Sequence, residues 1–239
     1  MDWADHAAHW PNADASMFVQ ARPHRWHVQA MGPEGAPVVL LLHGAGGSTH
    51  SWRDLMPMLA RHRRIVAPDL PGHGFTKLGA LQRSSLDLMA EDLLTLLDRL
   101  EVAPRALVGH SAGGALALRL AERLPEPPGA IVGLDPALEN FRGMASWLFP
   151  MMARALALNP LVAPTVARMT TPGSVERLIA GTGSRLDPLG LALYRACVAD
   201  TAHVDGALTM MAQWRLDGLR ARLGAIAVPV LFLHLSLIH

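Results

Sequence analysis

Short, unbroken apolar runs that end in glycine- or proline-rich turns, alternating with helical patterns, constrain this chain more than any other feature. "PVVLLLHG" (Pro37 to Gly44), "RIVAPDLPGHG" (Arg64 to Gly74), "RALVGH" (Arg105 to His110) and "GAIVGLD" (Gly129 to Asp135) are all of this kind. A strand that is apolar on both faces must be covered on both faces, which is the situation of a parallel sheet sandwiched by helices. The intervening segments supply those helices. "SWRDLMPMLARH" follows the first run. Leu86, Met89, Ala90, Leu93, Leu94, Leu97 and Leu100 recur at helical spacing after the second, with Ser84 or Ser85 as the cap. "AGGALALRLAERL" follows the third. "RWHVQAMG" (Arg25 to Gly32) reads as an earlier strand, and residues 1–20 read as irregular, with Trp3 and Trp10 packing on the body. Strand–helix alternation of this sort predicts an α/β fold with a mostly parallel sheet.

The pattern divides the chain into 1–135, a core of alternating units; 136–223, an insertion; and 224–239, a return to the core. The insertion is rich in Leu, Met and Ala, with prolines at 150, 160, 164, 172 and 188, and predicts several short helices without a strand. "AVPVLFLH" (Ala227 to His234) returns to the buried-strand type. An apolar fraction of 51% over 239 residues supports a sizeable core. A net charge of +1 gives no electrostatic reason to expect nucleic acid or an anionic membrane as partner. One cysteine, Cys197, allows no intrachain disulfide and reads as a small buried residue in a reducing compartment. No signal segment or membrane-length apolar run is visible, so the expectation is a cytoplasmic protein with no membrane span.

The chemistry centres on "LVGHSAGGAL". Gly109-His110-Ser111-Ala112-Gly113 matches G-x-S-x-G at a strand-to-helix junction, where a serine on a sharp turn needs neighbours without Cβ atoms. The helix that follows aims its first N–H groups at the reacting centre. "LLLHGAGGS" places His43 and Gly44 in a second turn at the end of an earlier strand. The backbone N–H groups of Ala45 and Ala112 can then point at one carbonyl oxygen as an oxyanion hole. A phosphate-binding loop is the competing reading of these glycines. Neither G-x-G-x-x-G nor a G-K-[ST] ending is present, so no nucleotide cofactor, and no metal, is expected.

In that order and spacing, "LLLHGAGGSTHSW", "VAPDLPGHGFT" and "LVGHSAGG" resemble the α/β-hydrolase superfamily over about Arg25 to His234. Within it, "DWADHAAHWPNADASMFV", "STHSWRDL", "ALNPLVAP" and "VERLIAGTGSRLDPLGLALYR" are most similar to the magnesium-chelatase accessory proteins of bacteriochlorophyll biosynthesis. The resemblance implies Ser111 as nucleophile, Ala45 and Ala112 as oxyanion donors, and His43, Gly44, Gly109, His110 and Gly113 as supporting motif residues. It further implies a small acyl or porphyrin-type ligand, with a chelatase subunit as a partner. The rival functions are a general serine esterase or lipase, and a non-catalytic protein that binds a porphyrin or a partner.

The superfamily order is nucleophile, acid, histidine. Asp135 is a candidate acid, because some members place it after that strand; its alternative is a turn cap before Pro136. Asp69 reads as bracing its own loop. His43 belongs to its turn, and His110 points elsewhere. His50 and His73 lie in loops that could approach Ser111, and His203 reads as a surface or packing residue. The expected acid and histidine would follow Ala227–His234, where the text instead runs "LSLIH". The expectation is therefore that residues 235–239 are foreign to the gene, that the last strand and helices of the fold are missing, and that the base for Ser111 is not in this chain. Such a chain would be nearly inactive, with Val228–Leu233 as an unpaired apolar edge. Met144, Met151, Met152, Met169, Met210 and Met211 read mostly as packing, with a pliable pocket for a flat macrocycle as the alternative.

Overall fold

The computed structural model describes residues 1–80, 82–138, 159, 161–169, 171–181 and 185–234. Seven strands form one sheet in the order β1-β2-β4-β3-β5-β6-β7. They are β1 (Ser16–Ala21), β2 (His24–Met31), β3 (Val38–Leu42), β4 (Arg64–Pro68), β5 (Pro104–His110), β6 (Ala130–Leu134) and β7 (Val230–Leu233). β1 and β2 pair antiparallel, as do β2 and β4, and every other pairing is parallel. The α/β architecture with helices on both faces is the one the alternating pattern predicts.

Strand period two sorts the core into two layers. Leu40 and Leu42 of β3 face one side, with Leu107 and Ile131, and are covered by α2 (Leu86–Arg99) and α3 (Ala112–Ala121). Val39 and Leu41 face the other side, with Ile65, Ala67 and Val108, against Trp52 and Met56. Ser85 caps α2 by accepting a hydrogen bond from the Leu88 N–H. The segment "SWRDLMPMLARH" forms a 3-10 turn at Thr49–Trp52 and then only a short helix, α1 (Leu55–Leu59). Pro57 explains the break, because proline without an N–H fits the first turn of a helix and not its interior.

One strand differs from the reading above. Residues 16–21, expected to be irregular, form β1 on the antiparallel side of the sheet. "SMFVQA" is short and flanked by polar residues, so its alternation is diluted: Val19 packs toward α2 and α3, and Phe18 toward Trp3. β7, of buried-strand composition, lies at the sheet edge as expected for Val228–Leu233, with Leu231 at 54% and Leu233 at 50% exposure. Composition reports what a strand could bury, not whether a neighbour covers it.

Between β6 and β7 the described residues form helices only: α4 (Val162–Met169), α5 (Pro172–Gly181), α6 (Pro188–Ala199), α7 (Thr201–Gln213) and α8 (Asp217–Arg220). Pro172 and Pro188 stand at helix starts, where the missing N–H costs nothing. Asp187 and Asp200 cap α6 and α7. Met210 is buried in the main core, while Met169 and Met211 are exposed; Met144, Met151 and Met152 lie outside the described residues. The start of the chain straps this layer down. Met1 and Trp10 pack with Phe75 against Leu193 and Cys197 of α6, with Trp3 at the margin. No helix among the described residues is long and apolar enough to cross a membrane.

Candidate functional site

Ser111 joins β5 to α3 at φ 52°, ψ −118°, a backbone conformation that side chains other than glycine rarely adopt. The surrounding structure enforces it. The Ser111 N–H donates to the Leu134 carbonyl at 3.0 Å, and the Ser111 carbonyl accepts from the N–H groups of Gly114 and Ala137 at 2.9 and 3.0 Å. The flanking glycines are required by contact. A Cβ on Gly109 would lie 2.1 Å from the Gly113 carbonyl oxygen, and one on Gly113 would lie 2.0 Å from that of Leu42. Helix α3 thus starts directly against the end of β3, which no larger residue at 113 permits.

The turn after β3 completes the site. A Cβ on Gly44 would meet Cβ of Ser111 at 3.1 Å and Nδ1 of His110 at 3.2 Å, so this backbone and the serine turn are in contact. The turn is closed by the Gly47 N–H donating to the Gly44 carbonyl at 3.0 Å. His43 fixes the same carbonyl. Its Nε2 accepts from the Leu70 N–H at 2.9 Å, so its proton sits on Nδ1 and donates to the Gly44 oxygen at 2.8 Å. In a trans peptide the N–H opposes the C=O, so anchoring the Gly44 carbonyl sends the Ala45 N–H the other way. Among the described residues, neither the Ala45 nor the Ala112 N–H donates to a protein acceptor.

The buried polar groups around these turns are committed elsewhere. Asp69 accepts from the Thr49 N–H at 2.6 Å and the Phe75 N–H at 2.8 Å, and pairs with Nδ1 of His27 at 2.8 Å. Burial raises its carboxyl, but the His27 charge and hydrogen bond, with His43 and the Phe75 N–H, outweigh that and hold it well below the usual carboxylate range. It ties β2 and the Thr49–Trp52 turn to the loop after β4. His73 donates from Nδ1 to the Pro71 carbonyl at 3.1 Å, while its Nε2 has no partner. His50 meets Ser48 through Nδ1, leaves Nε2 without a partner and meets Tyr194 edge-to-face. Burial depresses His43, His73 and His110, and brings His50 down to about 3.

Asp135 ends β6 at φ 41°; its N–H donates to the Leu233 carbonyl at 2.8 Å, and its Oδ1 meets Nδ1 of His234 at 3.0 Å. Ser111, Asp135 and His234 therefore stand at the ends of adjacent strands. No hydrogen bond reaches the Ser111 hydroxyl from any described residue. His239 lies outside the described residues.

His203, read as surface or packing, is buried and bonded at both ring nitrogens. Nδ1 accepts from the Gly74 N–H at 2.9 Å, and Nε2 donates to the Gly46 carbonyl at 3.0 Å. Its distance in sequence from both partners left no local signal for this role. The described residues contain no His/Cys/Asp/Glu cluster able to hold a metal ion.

The model of the alpha/beta hydrolase fold family matches residues 37–237. The chain is 46% identical to the magnesium-chelatase 30 kDa subunit of Rhodobacter capsulatus, over 93% of this chain and 78% of that one. Among solved structures, the epoxide hydrolase CorEH superposes with a TM-score of 0.76 at 20% identity, covering 92% of this chain and 81% of that one. An alpha/beta hydrolase fold protein from Burkholderia ambifaria superposes with a TM-score of 0.68 at 20% identity, covering 92% and 82%. At these identities the structural matches establish the fold alone.

Proposed function

The chain belongs to the alpha/beta hydrolase fold family, and from that premise we propose that it is a cytoplasmic accessory protein acting beside a magnesium chelatase through a serine site at Ser111. The observation that carries the serine site is the forced left-handed backbone of Ser111 beside a turn whose Ala45 N–H, like that of Ala112, is left unbonded. Two such donors suit the oxygen of a tetrahedral adduct, and losing one typically costs on the order of 10²–10³ in rate. Ser111 Oγ would add to an ester-like carbonyl, expel the alcohol and leave an acyl group that water removes. The similarity to the chelatase subunit supports a porphyrin-type ligand and a chelatase subunit as partner. The helices inserted between β6 and β7 serve as the cap of the site. His203 of α7, bonded to the turns after β3 and β4, supports that placement.

A second reading is a binding protein without turnover. It is favoured by the absence, among the described residues, of any hydrogen bond to the Ser111 hydroxyl. Nucleophile and oxyanion donors without a base retain only about 10³–10⁴ over water.

Fluorescence titration with protoporphyrin, alongside p-nitrophenyl acetate hydrolysis, tests the proposal in the parent chain and in Ser111→Ala. Slow hydrolysis that Ser111→Ala removes, with porphyrin bound by both proteins, is the expected result. Porphyrin binding without any serine-dependent hydrolysis selects the binding reading. Hydrolysis without porphyrin binding selects a general esterase.

A further inference from the structure

The turn Gly44–Gly47 is held at two carbonyls by two imidazoles from different parts of the chain. His43, at the end of β3, holds the Gly44 carbonyl, and His203, near the start of α7, holds the Gly46 carbonyl. The residue between those two carbonyls is Ala45. We propose that His203 is a positioning residue for the Ala45 N–H, so that the oxyanion turn takes its geometry only when α7 is seated. This rests on the reading of Ala45 as an oxyanion donor.

Three further contacts show that α7 is seated against this region and not merely near it. The Gly74 N–H donates to Nδ1 of the same ring, so His203 joins the turn after β3 to the loop after β4. Its ring meets His73 edge-on at 5.3 Å, and His73 meets His43 at a tilt at 5.3 Å, giving a continuous line of imidazole contacts from the inserted helix to the core strand. One turn further along α7, Gly206 touches the backbone of Gly72: a Cβ there would lie 2.1 Å from the Gly72 carbonyl oxygen. Burial favours the uncharged ring, which is the form that can accept from Gly74 while donating to Gly46. A displacement of α7 by about 1 Å away from the turn would lengthen the Gly46 bond beyond hydrogen-bond range. A ligand that lifts or settles the inserted helices would thereby loosen or fix the donor at the reacting centre.

Amide hydrogen exchange in His203→Asn tests this, because asparagine can offer an acceptor near the Nδ1 position but has no donor that reaches Gly46. The Gly74 N–H should stay protected, while the Gly47 N–H, which closes the turn, should exchange at least tenfold faster. The core amides of Leu107 and Leu93 should be unchanged. In His203→Ala both Gly74 and Gly47 should accelerate. Unchanged protection at Gly47 in both variants would overturn the proposal and leave His203 as packing. Should His203→Ala fail to fold, the asparagine variant alone decides. The fluorophosphonate labelling rate of Ser111 adds a second readout: at saturating probe it should fall about tenfold in His203→Asn. Exchange needs no chemistry at Ser111, so a serine that never labels defeats the function proposed above while the coupling is still judged at Gly47.

Discussion

Gly206→Ala puts the seating of α7 to a test in which two physical effects have opposite signs. In an isolated helix the substitution stabilises by about 1 kcal/mol, because alanine loses less backbone entropy than glycine. Here the new Cβ would lie 2.1 Å from the Gly72 carbonyl oxygen and 2.6 Å from its carbon. Both are backbone atoms and cannot swing aside as a side chain would. An ordinary contact needs more than 3 Å, so α7 must retreat by about 1 Å. That retreat breaks one of the two His203 hydrogen bonds, which leave the ring on opposite sides, at about 1 kcal/mol, and adds the strain of overpacking, about 1–3 kcal/mol. Set against the helix gain, the net is a destabilisation of about 2 kcal/mol. Gly173, on α5, has nothing within 4 Å of its Cβ position, so Gly173→Ala is the matched control and should be neutral or stabilising. Urea denaturation followed by circular dichroism gives both values from the midpoints at constant slope. A Gly206→Ala protein as stable as its parent, or more so, would refute the close approach of α7 to the loop after β4.

Acid should weaken the fold before the ordinary carboxylate range is reached. Burial holds His203 down to about 4 and His50 to about 3, against an unfolded value near 6.5. Both are depressed histidines, so the unfolded chain binds the protons first: stability is full above about pH 6.5 and falls as pH drops toward 4 and then 3. The groups facing His203 are His43 and His73, with Asp69 and Asp200 opposing the depression; His203 alone contributes about 3 kcal/mol over that window. Urea midpoints flat between pH 7 and 4 would contradict this. Cys197 is fully buried and its thiol is pushed up to about 12, so it should not react with a disulfide reagent at pH 8 until denaturant is added. Rapid stoichiometric reaction of the native protein would show that α6 does not stay packed on the N-terminal strap.

The parts of this molecule that are legible in its sequence are those set by short-range rules. The apolar runs at Val38–Leu42 and Pro104–His110 are parallel strands because nothing polar interrupts them, and each was bounded to within two residues. Gly109 and Gly113 were legible because the serine turn excludes a Cβ at both positions. What stayed hidden depends on partners distant in the chain. His203 resembles any histidine on a helix until α7 is docked on turns that precede it by 129 and 157 residues. The pairing of His27 with Asp69 is equally silent, since it joins a strand on the antiparallel side of the sheet to a loop 42 residues later. Coverage of an apolar strand such as β7 likewise depends on its neighbour in space and not on its composition.

Covalent labelling of Ser111 tests the central claim most directly. The purified chain is incubated for hours with excess fluorophosphonate, digested with trypsin and mapped by mass spectrometry. A single adduct on the peptide Ala106–Arg119, located at Ser111 and absent in Ser111→Ala, is the expected result. No adduct on a folded chain, or one that persists in Ser111→Ala, would contradict a nucleophilic role for this serine.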